Sequence, residues 1–285
     1  MLRTQLKLLF LKRGFWLSFG IMLTLAFLYP VYLLADCIFY GNDISFLYDR
    51  QYAYIFCERT VLSGLLYLLV PVVALLPFAA SYAVDRRLHA YYALVSRRGL
   101  RSYFFTKAFC CMLGGFLVFF LPLVINILVN QLFWPVTFRN TMTNNMFDQY
   151  FNDIAETLAH SPDQATLFTR LWQTHPQLVN VLSAGLIGLL GAVSSLASYT
   201  CSLFVKRCTY FSIFPMLLLM TAGVMIQKQQ AQRGALESMS WDLSDYVTTG
   251  YAHYYQYAYF WILCAAVILL CAGILWWKSR QDLLD

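Results

Sequence analysis

Charge is what this 285-residue chain has least of. Asp, Glu, Lys and Arg make up 12% of it and hydrophobic residues 60%. A soluble domain carries about a quarter charged residues, so a water-soluble globule is excluded and an integral membrane protein is implied. Histidine is scarce too. His89, His160, His175 and His253 are all there are, and none lies in an apolar run. No His, Cys, Asp or Glu set has metal-ligand spacing, and no HExxH motif occurs. No GxxxxGK[ST] phosphate loop is present, so the chain cannot bind ATP in that way. Ser194 and Ser195 have no adjacent His or acid to activate them and read as packing residues rather than nucleophiles. A membrane enzyme is therefore the least supported class, and no metal or cofactor is expected on this chain.

What is present is a series of long apolar runs, at 15–35, 60–83, 108–132, 179–204, 210–226 and 258–277. At about 1.5 Å per residue each can cross a hydrocarbon core of about 30 Å, the fifth only just. None contains Asp, Glu, Lys, Arg or His, which removes the carboxylate pairs of proton relays and ion-coupled transporters. The expected fold is all-α: a polytopic membrane protein with six transmembrane helices in one domain, 1–285. Six spans place both termini on the same side.

Charge distribution names that side. The termini, the second loop and the fourth loop hold 14 basic and 3 acidic residues, net +11; the other loops hold 6 and 11, net −5. The positive-inside rule makes both termini cytoplasmic, with the protein in the plasma membrane. The overall charge of +6 is topology, so no nucleic-acid partner is implied. The first run is longer than a signal-peptide core and lacks an A-x-A site, so it reads as an anchor that is not cleaved.

Smaller features follow from this frame. Residues 1–13 read as a cytoplasmic interfacial helix, or simply as a basic flank, that meets lipid headgroups. Cys37 and Cys57 flank the first outer loop at the ends of two antiparallel spans. They are a candidate disulfide pair in an oxidising compartment, although spacing alone does not establish pairing. The stretch 133–178 reads as an outer loop with two amphipathic helices. The loop 227–257 reads as an interfacial or re-entrant helix. Ala184, Gly188 and Ala192, at intervals of four, form a helix-packing stripe. It serves either a moving or dimerising interface or ordinary packing within one subunit.

The most telling segment is 84–107, a cytoplasmic stretch between the second and third runs. It begins Asp85-Arg86-Arg87, continues through an apolar, aromatic face of Leu88, Tyr91, Tyr92 and Leu94, turns at Ser96-Arg97-Arg98-Gly99-Leu100-Arg101, and ends at Lys107. With six spans and a basic N-terminal helix, this pattern resembles the permease subunit of a type-2 ABC exporter. In that family an acidic-basic pair closes span two, a coupling helix follows, and a Ser-Arg turn and a lysine open span three. The glycine that often follows the acidic-basic pair is Leu88 here, and the loop 133–178 is longer than usual. The resemblance implies an ATP-driven exporter that moves a peptide, lipid or amphipathic small molecule outward. It implies a separate cytosolic ABC ATPase holding ATP and Mg, and a second permease copy or a related permease. Arg86, Arg87, Leu88, Tyr91, Tyr92, Leu94, Arg97, Arg98 and Arg101 would form the ATPase-coupling surface. The competing reading is a non-transporting immunity, scaffolding or assembly protein of the membrane.

Overall fold

Uninterrupted apolar sequence leaves the backbone one economical way to satisfy its hydrogen bonds in lipid, which is the helix. The computed structural model describes residues 2–39, 53–56, 61–77, 81–87, 95–96, 99–133, 171, 175–204, 209–232, 241–248 and 257–281. Among these there is no strand. The helices are α1 (Leu2–Leu11), α2 (Arg13–Phe39), α3 (Val61–Leu75), α4 (Ser81–Arg87), α5 (Leu100–Phe133), α6 (Pro176–Ser202), α7 (Phe214–Gln232) and α8 (Tyr257–Gln281), with a 3-10 turn at Thr209–Ile213 before α7. Five of them, α2, α5, α6, α7 and α8, are long and apolar enough to cross a membrane. The chain is a multi-pass helical membrane protein.

The run at 60–83 departs from the expected single span. Helix α3 has 15 residues, about 22 Å, short of a full crossing of about 30 Å. Pro77 stands at the stop. It has no N–H for the Val73 carbonyl, and it disfavours helical geometry at the residue before it. The Leu76 N–H takes that carbonyl instead, at 3.3 Å, closing a tighter turn. The third run departs the other way. Helix α5 has 34 residues, about 51 Å, because Leu100 to Lys107 continue the helix beyond the apolar stretch.

Helix α6 is the axis of the bundle. Of its most apolar stretch 78% is buried inside the protein, against 22% for α7 and for α8, so the latter two turn most of their surface out of the bundle. Trp261, Ile262, Leu269 and Leu270 on α8 are exposed apolar side chains of this kind. The closest association is α5 on α6, and small residues permit it. A Cβ on Gly115 would stand 2.5 Å from the Gly191 carbonyl oxygen and 2.8 Å from Ser195 Cβ. Absent side chains let the two backbones touch, the usual route to tight packing where lipid supplies no hydrophobic drive.

Uncharged polar side chains tie the connecting segments to this core. Asn126 donates to the Ala26 carbonyl at 3.0 Å, and Asn130 donates to Ala53 and to Asn126, each at 3.2 Å. Ser183 donates to the Val247 carbonyl at 2.5 Å, which leaves the Tyr54 hydroxyl, 3.2 Å away, as the donor to Ser183. Residues 241–248 are a buried run of turns, not a helix. Irregular backbone is tolerated at membrane depth when protein covers it.

The hydroxyls of Ser194, Ser195 and Ser198 are buried and, among the described residues, have no hydrogen-bond partner. Their small volume suits the contact with α5, while an unpaired buried hydroxyl carries a desolvation cost. Ser195→Ala should therefore leave thermal stability in detergent unchanged or raise it, by up to about 1 kcal/mol. A loss larger than that would mean the hydroxyl holds a bond.

Candidate functional site

The ends of α4 and α5 that flank residues 88–98 meet in a buried polar cluster. Lys107 lies on α5, two turns in from Leu100, and its side chain is only 1% exposed. A buried ammonium needs a counter-charge and acceptors. Asp85 on α4 supplies the charge through a direct ion pair. The Ser81 carbonyl, one turn earlier, accepts a second bond from the same ammonium at 3.2 Å. Tyr103, one turn before Lys107, donates its hydroxyl to Asp85 at 2.8 Å. Its ring also lies 5.0 Å from the ammonium, within cation–π range. Helical spacing of four places Tyr103 and Lys107 on one face of α5, which is why both reach the same carboxylate.

The cluster extends to the N-terminal helices. Lys12, at the junction of α1 and α2, is near enough to Asp85 to feel its charge. Burial holds the Lys12 ammonium below the ordinary lysine range, and Asp85 pulls it the other way. Helix α1 is seated rather than loose. Leu9 is fully buried, and a Cβ on Gly114 of α5 would meet its Cδ1 at 2.8 Å. Tyr82 of α4 packs at 5.9 Å, centroid to centroid, on Phe104 of α5. Tyr199, near the end of α6, is fully buried.

Comparison with known families, curated proteins and solved structures returns no match. The chemistry of the cluster must therefore speak for itself. The cluster is an ion pair supported by a tyrosine hydroxyl and a backbone carbonyl. It is a brace that locks α4 and α5 together across the segment between them.

The expected site residues divide as follows. Arg101 is on α5 and exposed; Arg86 and Arg87 end α4, with their side chains outside the described residues. Leu88, Tyr91, Tyr92, Leu94, Arg97 and Arg98 all lie outside the described residues, as does Cys57. Cys37 is within α2, with its side chain likewise outside them. Gly99 has a φ of 78°, a left-handed conformation that glycine adopts without strain. It hands the chain into α5, and its N–H bonds the Val95 carbonyl at 2.8 Å. In the stripe on α6, Ala184 and Ala192 are buried. A Cβ on Gly188 would meet Phe116 at 2.9 Å and Phe120 at 3.2 Å, so this stripe packs on α5 of the same chain.

Sequence reasoning singled out Asp85 and Lys107 as the flanks of a segment, but not as partners. It missed Tyr103, whose position four residues before Lys107 is the signal that could have found it.

Proposed function

We propose that this chain is the permease subunit of a type-2 ABC exporter, in the plasma membrane with both termini cytoplasmic. Helices α3 and α4 together serve as the interrupted second of six spans. The observation that supports this reading is the Asp85–Lys107–Tyr103 brace. A segment that receives force from an ATPase must pass it to the spans rather than flex by itself. Here both flanks of residues 88–98 are fastened to each other, and α5 runs from that fastening to the far side of the bundle. A separate ATPase would bind ATP and Mg and push on the segment. Two permeases, identical or related, would complete the transporter. In this mechanism Leu88, Tyr91, Tyr92 and Leu94 enter a groove of the ATPase, and the arginines Arg97, Arg98 and Arg101 meet its acidic residues or lipid phosphate.

The test is co-purification. A cytosolic ABC ATPase produced alongside the chain should be captured with it from detergent extracts. Replacing both Tyr91→Ala and Tyr92→Ala should reduce capture at least about tenfold, since buried aromatic anchors carry most of an interface's energy. Undiminished capture by the double variant would sink the assignment of this face.

A further inference from the structure

Between α3, α7 and the turns at 241–248 lies a cavity of about 310 Å³. We propose that it binds an uncharged, mainly hydrocarbon molecule that carries a hydroxyl or N–H group and enters from the lipid. This site goes beyond the ATPase-docking role above and does not depend on it.

The volume is at the low end of the range for small-molecule sites, about 300–1,000 Å³. Most of the wall is apolar, with Tyr67 and Leu68 from α3 and Met225 from α7. Leu68 and Met225 are also exposed, 44% and 61%. The wall therefore runs out to the apolar surface that lipid would cover, and a ligand dissolved in lipid can reach it. The turns on the other side are fixed in place. Gln227 Oε1 of α7 accepts the Trp241 N–H at 3.0 Å. The cavity is thus built before any ligand arrives, which lowers the cost of binding.

The polar groups of the wall decide what the ligand must carry. A serine or threonine hydroxyl has one proton to donate and lone pairs that accept. Three hydroxyls on the wall have already donated. Ser244 donates to Asp242 Oδ1 at 2.7 Å, Thr248 to the Ser244 carbonyl at 2.9 Å, and Thr221 to the Leu217 carbonyl at 2.9 Å. What each of them still offers is an acceptor, so a ligand that bonds them must donate. The Asp242 carboxylate is no open counter-charge. It is 1% exposed, and its Oδ1 also accepts the Ser244 N–H at 2.9 Å. Among the described residues no basic side chain lines the cavity. An anion would meet lone pairs, and any ion would leave its hydration for a mostly apolar space, which is costly. A hydrocarbon body with one O–H or N–H gives up little water and supplies the donor.

The experiment uses the purified full chain in nanodiscs of zwitterionic lipid, with no ATPase. The probe is octanol carrying a photoreactive diazirine, and the labelled residues are mapped by mass spectrometry. Saturable labelling is expected on peptides that hold Tyr67 and Met225, both on the wall. Unlabelled octanol should suppress it. Methyl octyl ether has the same chain but cannot donate. At equal concentration in the lipid it should compete less well by about threefold or more, the loss of one hydrogen bond. Octyl sulfate and octyltrimethylammonium should not compete. Gly64→Leu should abolish the labelling. Gly64 lines the cavity, and a Cβ there meets nothing within 4 Å, so the new side chain enters open space without straining the fold. Gly273→Leu on α8, where a Cβ also meets nothing within 4 Å, should label like the parent. The competitors on the parent chain decide the matter even if Gly64→Leu fails to fold. The proposal is overturned if labelling does not saturate, if the ether or either ion competes as well as octanol, or if a folded Gly64→Leu labels as the parent does. Because no ATPase is present, failure here leaves the docking reading intact, and failed ATPase capture leaves this site intact.

Discussion

Asp85→Leu should be the most damaging single change at the brace, costing about 3–5 kcal/mol, the usual penalty for stranding a buried charge. The ammonium it strands belongs to Lys107, which is 1% exposed, whereas the Asp85 side chain is 20% exposed. The reciprocal change, Lys107→Met, leaves a carboxylate that water can partly reach and that still receives the Tyr103 hydroxyl. Its cost should be smaller, about 1–3 kcal/mol. The double variant should recover most of the loss, because replacing both partners of a buried pair with apolar residues is often close to neutral. Unfolding midpoints of the three variants in one detergent would measure this. If Lys107→Met proved the costlier single change, burial of the ammonium would not be what sets the energetics. Restored stability with impaired capture of an ATPase in the double variant would separate the proposed docking role of the pair from its role in folding.

The second large effect is expected where α5 crosses α6. Gly115→Ala should destabilise by about 1–3 kcal/mol or more, the range for overpacking a dense interior. Its new methyl group would meet the backbone oxygen of Gly191 at 2.5 Å, and backbone on a central helix cannot step aside. Gly191→Ala would press on the ring of Phe119, which is fully buried, so its cost should be similar. Gly188→Ala meets the outer edge of the Phe116 ring at 2.9 Å, a side chain with more room to shift, and should cost less. Gly185 is the internal control. A Cβ there meets nothing within 4 Å, so Gly185→Ala should be neutral or stabilise by about 0.5–1 kcal/mol through helix propensity. Equal midpoints for the Gly185 and Gly115 variants would contradict the close crossing.

Much of this fold was legible because lipid imposes a simple rule. A run with no charge must be a helix, and α2, α5, α6, α7 and α8 follow the runs that foretold them. What composition could not show was continuity. Pro71 sits inside α3 without ending it, while Pro77 coincides with the stop. The difference is set by what surrounds each proline, not by proline itself. The far ends of α5 were hidden for a related reason, since a helix need not stop where its hydrophobicity does. Within the candidate site, Asp85 and Lys107 stand out as the flanks of a segment. Their pairing, 22 residues apart, depends on α4 folding back beside α5. Asn126 and Asn130 drew no notice because amides carry no charge, although they anchor two other segments. The turns at 241–248 resembled an interfacial helix because their Trp and Tyr are the residues of a headgroup belt.

The length of α5 has a geometric corollary. Its crossing point at Gly115 divides it nearly in half, with about 22 Å of rod toward Leu100 and about 27 Å toward Phe133 at 1.5 Å per residue. A rod pinned at its middle is a balanced lever. A sideways shift of about 2 Å at the Leu100 end, if the contact with Gly191 acts as the fulcrum, reappears as a comparable shift of opposite sense at the Phe133 end. A displacement of one end would be passed to the other at nearly the same size, so narrowing one mouth of the bundle would widen the other by a similar amount.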